Sequence, residues 1–193
     1  MLLRKASILA LLTLASASAH AAVEPILTTG YEFGGDELVQ TTTTDLNAGG
    51  GISFGAGLSF TPDHSTMSLR VVLHYLFNSV EFNSPDGDAE ADSFPLELGL
   101  FKTWDRHEFG VGPSIHINPT YQISSSSPLL NGEVDFDNAT GVFLAYHYIF
   151  SRAETASYTT DTYIAVKLRA MDYETGNTQI DADSLGLYIG AKF

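Results

Sequence analysis

Apolar and polar residues alternate along most of this chain with a period of two, the pattern of extended strands that carry one apolar face. In one stretch Leu69, Val71, Leu73, Tyr75 and Phe77 share a side, and Ser68, Arg70, Val72, His74, Leu76 and Asn78 share the other. Further on, Phe94, Leu96, Leu98 and Leu100 oppose Pro95, Glu97, Gly99 and Phe101. Phe109, Val111, Pro113, Ile115 and Ile117 oppose Glu108, Gly110, Gly112, Ser114, His116 and Asn118. Ile164, Val166 and Leu168 alternate with Ala165, Lys167 and Arg169. Eight such segments start near Leu27, Asn47, Thr66, Ser93, Arg106, Ala139, Thr159 and Ser184, each about ten to fifteen residues long. Soluble strands usually run to about 5–6 residues, whereas a tilted strand needs roughly 9–11 to cross a bilayer.

The two faces differ in a telling way. The apolar face is continuous, rich in Leu, Ile, Val and aromatics, and shared by all segments. The other mixes small residues with charges. A soluble sandwich puts its large apolar residues inside; an apolar outside with a polar inside belongs to a membrane barrel. An open sheet edge in lipid would leave backbone groups unpaired, so the sheet must close. The expected fold is all-β: an eight-stranded antiparallel up-and-down transmembrane β-barrel.

The N-terminus adds an address. Arg4 and Lys5 precede the uncharged apolar run from Ala6 to Ala15, and Ala19-His20-Ala21 fits a small-x-small cleavage site. This predicts a secretory signal peptide over residues 1–21 and a barrel domain over 22–193. The run is too short for a membrane anchor, which needs about 20 apolar residues.

Composition narrows the classes. The 193 residues are 44% hydrophobic and only 17% charged, with no Cys. Disulfide scaffolds, Cys-ligated zinc and thiol nucleophiles are thereby excluded. A formal charge of −14 argues against nucleic acid as a partner. The plentiful apolar residues argue against disorder.

Connections alternate short and long. Thr61–Ser65, Thr103–Asp105 and Ser151–Tyr158 are short; 36–46, 79–92, 119–138 and 172–183 are long and carry acids but no Lys or Arg. Lys102, Arg106 and Arg152 sit at the short-turn end. Bacterial outer-membrane barrels have short periplasmic turns and long outer loops, so the acidic loops are expected outside the cell and the localisation is the outer membrane.

The chain ends Leu185-Gly186-Leu187-Tyr188-Ile189-Gly190-Ala191-Lys192-Phe193. The alternating Leu185, Leu187 and Ile189 before a terminal Phe193 resemble the C-terminal assembly signal of outer-membrane barrels, with Ala191 where an aromatic is usual. The layout of eight strands, three short turns and four long loops is similar to the small OmpA/OmpX-like outer-membrane barrels. The resemblance implies reading by the barrel-insertion machinery during assembly, and lipid bilayer and lipopolysaccharide as surroundings.

If apolar residues face lipid, then Glu32, Arg70, Glu97, Glu108, Lys167, Arg169 and Lys192 face the lumen, with His74, His116 and His147. Eight strands leave an interior just wide enough for side chains, so these charges must pair or be wet. Antiparallel neighbours suggest Arg70 near Glu97, and closure of the last strand on the first suggests Lys192 near Glu32. The expected result is a largely plugged lumen in a protein of structural or surface-interaction type, with no enzymatic activity. A narrow transport barrel for small solutes is the alternative. A lipid-modifying enzyme using Ser114 and His116 is a further one, although residues i and i+2 on a strand lack a third group to orient the base. Asp86, Asp88, Glu90 and Asp92 offer oxygen ligands suited to calcium or magnesium, but they lack the ordered calcium-loop spacing. No dedicated metal site and no cofactor are expected, only divalent cations collected loosely at the loops. Tyr31, Phe60, Trp104, Phe109, Tyr148, Phe150 and Phe193 fall near strand ends, where interfacial aromatics gather.

Overall fold

A computed structural model of the chain describes residues 21–40, 45–83, 86–127, 129, 131–154 and 159–193. Residues 1–20 of the expected signal peptide lie outside the described residues, as do 155–158 of the third short turn. Period-two segments form strands throughout: β1 (Ala21–Phe33), β2 (Glu37–Gln40), β3 (Asp45–Asn47), β4 (Gly51–Pro62), β5 (Met67–Asn83), β6 (Asp86–Trp104), β7 (His107–Ser125), β8 (Gly132–Asp135), β9 (Ala139–Glu154), β10 (Thr159–Ala170), β11 (Asp172–Thr175), β12 (Thr178–Asp181) and β13 (Ser184–Lys192).

Eight of these close into an antiparallel barrel, in the order β6-β5-β4-β1-β13-β10-β9-β7, with β7 paired back to β6. One path of paired residues runs Val23, Phe60, Leu69, Leu100, Val111, Leu144, Leu168, Leu185 and back to Phe33. It returns to β1 ten residues beyond its start. A stagger of that size over eight strands tilts them about 40° from the barrel axis. Every residue on the path is apolar, and the path winds round the outside of the barrel. Outside positions such as Leu73 (48% exposed), Phe54 (58%) and Leu187 (51%) form a wide apolar belt.

The turns at one end are short. Trp104 pairs with His107 across Asp105 and Arg106, and Asp105 takes a positive φ of 55° to make the reversal. The long-connection end and the first strand correct three expectations. The segments 79–83, 86–92 and 119–125 are not loops: β5 and β6 stay paired up to Asn83 and Asp86, giving strands of 17 and 19 residues. Connections 36–46 and 172–183 contain the hairpins β2–β3 and β11–β12. The first strand begins at Ala21, before Leu27, because its N-terminal residues pair with the end of β4. Regular pairing persists wherever a partner strand continues, whatever the polarity of its side chains.

A bulge explains why the alternation in β7 breaks at its middle. The register against β6 shifts between Asp92 and Phe94, and Asn118 has a φ of 47°. The extra residue exchanges the two faces. Below it Ile115 points outward; above it Tyr121 and Ile123 turn in against Leu46, Val80 and Ala89. A second apolar cluster of Ala48, Phe136, Ala139, Met171, Tyr173 and Ala182 lies at this end, tied by Asp36 N to Asp181 O (2.7 Å) and Asp137 N to Glu174 O (2.8 Å).

Candidate functional site

Strand parity puts the charged side chains inside. On β10, Tyr163, Ala165, Lys167 and Arg169 are buried while Ile164, Val166 and Leu168 are exposed. The same alternation buries Glu32 on β1, Arg70 and His74 on β5, Glu97 on β6, Glu108, Ser114 and His116 on β7, His147 on β9 and Lys192 on β13. All seven charged residues expected in the lumen are therefore inside, and their contacts sort them into two layers.

The layer nearer the long connections joins β1, β6, β10 and β13. Arg169 Nη2 donates to Glu97 Oε1 at 2.7 Å, and its Nη1 donates to Glu32. Lys167 Nζ donates to both Glu97 oxygens, at 2.8 and 2.9 Å. His74 Nε2 lies 3.3 Å from Glu97. Glu32 also accepts from Ser184 Oγ (2.6 Å) and from the Tyr188 hydroxyl. Two carboxylates face two cations, so the layer balances.

The second layer lies toward the short turns. Arg70 Nη2 donates to Glu108 Oε1 at 2.7 Å, and Thr103 Oγ1 donates to the same oxygen at 3.2 Å. His147 Nδ1 is 3.3 Å from the other Glu108 oxygen. Lys192 Nζ stands 3.4 Å from Glu24, 3.6 Å from Asp161 and 3.7 Å from Glu108. Arg152 Nε completes this end, 2.7 Å from Asp161. This layer also balances, with Glu24, Glu108 and Asp161 against Arg70, Arg152 and Lys192.

Both pairings expected from sequence are corrected here. Arg70 meets Glu108, not Glu97, because its β6 partner is Gly99 and Glu97 pairs one step higher, with Val72. Lys192 meets Glu24, Asp161 and Glu108, not Glu32. The antiparallel register sets it opposite Ile26, six residues before Glu32 on β1, whereas Glu32 pairs with Gly186.

Between the layers lies a stratum of rings, of which the sequence reading placed Phe101 and His147 and passed over Tyr163 and Tyr188. Tyr163 stacks on His147 with centroids 4.5 Å apart, the Arg70 guanidinium sits 4.1 Å above Phe101, and Lys167 Nζ is 4.4 Å from the Tyr188 ring. Inward glycines make room for these rings. A Cβ on Gly99 would stand 2.6 Å from Phe101, and one on Gly190 would stand 2.5 Å from Tyr163. The available signal was parity: Tyr163 counts in twos from Lys167, and Tyr188 from Lys192. A cavity of about 40 Å³ remains here, lined by Thr28, Arg70, His74, Glu97, Phe101 and Tyr163 among others. That is space for no more than a few water molecules.

The serine–histidine pair does not assemble. His116 Nδ1 lies 2.6 Å from the Tyr173 hydroxyl and 3.4 Å from Ser93 Oγ, and the Ser114 hydroxyl makes no hydrogen bond among the described residues. Burial pushes the Tyr173 phenol up to about 12, and its hydroxyl shares a hydrogen bond with His116 Nδ1. The contact pins the β11–β12 hairpin to the barrel wall.

Asp86, Asp88, Glu90 and Asp92 occupy alternate positions of β6. At roughly 3.3 Å per residue the four spread over about 20 Å and do not converge on a point. Among the described residues no cluster of three or more His, Asp or Glu has the geometry to hold a metal ion. At the C-terminal strand, Leu185, Leu187, Ile189 and Phe193 all point outward.

No family model matches the chain, and no curated protein matches it in sequence. Solved structures do match. The crystal structure of Neisserial surface protein A (NspA) is similar at a TM-score of 0.52 and 12% identity, covering 89% of this chain and 97% of that one. The crystal structure of Ail, the attachment invasion locus protein of Yersinia pestis, in complex with the heparin analogue sucrose octasulfate, is similar at a TM-score of 0.48 and 9% identity, covering 90% of this chain and 99% of that one. At such identities the likeness is one of fold: the chain has the architecture of the small outer-membrane β-barrels.

Proposed function

We propose that this protein resides in the outer membrane as a barrel of structural or surface-interaction type, without enzymatic activity, and with a lumen closed by its own side chains. One observation carries the reading: the barrel is inverted, with paired charges buried inside and an apolar belt exposed outside. Such a surface is stable only in lipid. The two balanced charge layers, and the small size of the cavity between them, support a plugged lumen.

On this reading the N-terminal 21 residues export the chain, and the barrel-insertion machinery reads the outward Leu185, Leu187, Ile189 and Phe193. The long connections face the cell exterior. Their acids, unbroken by Lys or Arg, attract counterions, so divalent cations bridge them loosely to lipopolysaccharide phosphates. Fractionation tests the core of the proposal. The mature protein is expected in the outer membrane, with an electrophoretic mobility that changes on heating. A freely soluble periplasmic product would refute it.

A further inference from the structure

Lys102 and Arg106 are the described cations left without a carboxylate. Every other Lys or Arg among the described residues has one within 4.0 Å: Arg70, Arg152, Lys167, Arg169 and Lys192. The Arg106 guanidinium makes only a long bond to Phe150 O, at 3.4 Å. Asp105, in the same turn, pairs with neither. Two unspent cations, one on β6 and one in the turn that follows it, lie at the short-turn edge of the apolar belt of a strongly acidic protein.

Their surroundings are those of a lipid interface. Lys102 continues the outward face of Leu98 and Leu100 on β6 and is exposed. Across the sheet it pairs with Phe109, which pairs with Tyr146. One step nearer the turn, Trp104 pairs with His107. The rings brace each other: Phe109 and Tyr146 centroids are 5.2 Å apart, and the Tyr146 hydroxyl lies 2.8 Å from His107 Nδ1. Trp104 is 75% exposed. A fixed aromatic shelf thus flanks two free cations at the height where acyl chains meet headgroups.

We propose that this face binds the headgroup of an anionic phospholipid in the short-turn leaflet, with Lys102 and Arg106 on its phosphodiester and Trp104 against the glycerol region. Arg forks onto phosphate oxygens and Lys adds a point charge. The proposal rests on the membrane reading above. Merely snorkelling cations would give the same exposure but no preference between headgroups.

Trp104 is the only tryptophan of the chain, so its fluorescence reports the lipid at this face. The protein is placed in vesicles containing dibrominated phosphatidylcholine or dibrominated phosphatidylglycerol, each competing with unbrominated phosphatidylcholine. Both lipids quench if the barrel is in the bilayer, and phosphatidylglycerol is expected to compete at least about five-fold better, the preference that even one cation confers near an anionic surface. The preference should fall to parity in Lys102→Gln/Arg106→Gln. In the unmodified protein it should also fall to parity in molar salt, where screening acts within about 3 Å, so the test survives a variant that folds poorly. Quenching by both lipids with equal efficiency, or a preference that persists in the double variant and in salt, overturns the lipid site but leaves the membrane reading intact. No quenching by either lipid defeats the membrane reading itself. Protection of Trp104 with cross-linked pairs of the chain assigns the face to a second copy and overturns the proposal.

Discussion

Arg169 Nη2 lies 2.7 Å from Glu97 Oε1, across the lumen between strands that are not neighbours in the sheet. The same guanidinium also holds Glu32. One side chain therefore ties β10 to β6 and β1 through the interior, bracing the barrel crosswise where backbone pairing acts only around its wall.

Removing that brace should cost more than removing its neighbour. Arg169→Met leaves Glu97 with Lys167 but strips Glu32 of its cation, a loss expected near 3–5 kcal/mol for a buried charge left unpaired. Lys167→Met leaves Arg169 on both carboxylates and should cost clearly less. Reversible urea unfolding of the folded protein in lipid vesicles measures both. Equal losses would show that the two cations are interchangeable.

Depth along one strand gives a second test. Met67 and Leu73 share the outward face of β5, Met67 at the short-turn end and Leu73 midway along the belt. Leu73→Arg should destabilise by about 2–4 kcal/mol, and Met67→Arg by only about 0–1 kcal/mol. The same unfolding assay, run in phosphatidylcholine, reads the difference. A reversed order would move the membrane away from the belt.

The ring stratum makes a packing prediction. A methyl on Gly110 would run into the Phe101 ring. Gly110→Ala should therefore destabilise by about 1–3 kcal/mol, and much of that should disappear in a Phe101→Leu background. A double-mutant cycle measures the coupling. Additive losses would mean that the inward glycines serve something other than the rings.

Tyr173→Phe keeps the ring packing and removes the bond to His116. Local opening of the β11–β12 hairpin should become easier by about 1 kcal/mol, seen as faster amide exchange over residues 171–183. The unfolding midpoint of the barrel should hardly move. A drop in that midpoint with unchanged exchange would place the role of Tyr173 in the wall and not in the hairpin.

Much of this architecture was legible because a strand has only two faces. Once Leu69 to Phe77 set a phase, the inward set followed by counting, and Glu32, Arg70, Glu97, Glu108, Lys167, Arg169 and Lys192 all lie inside. What counting cannot supply is height. Which inward charge meets which depends on register and tilt, and the ten-residue stagger lifts Glu97 away from Arg70 and drops Lys192 away from Glu32. The outer ends were misjudged for a different reason. Above the membrane both faces of a strand can be polar, so residues 79–83 and 86–92 lose the alternation without losing their pairing. The bulge at Asn118 hid the inward turn of Tyr121 for the same want of a sequence signal.

The central claim is a membrane barrel whose interior is filled by two balanced layers of charge. Planar-bilayer recording of the purified, folded protein tests it most directly. The account predicts insertion with no steady conductance above background, and no open-channel steps. Stable, ohmic channel currents from the unmodified protein would contradict the plugged lumen and assign the interior to transport.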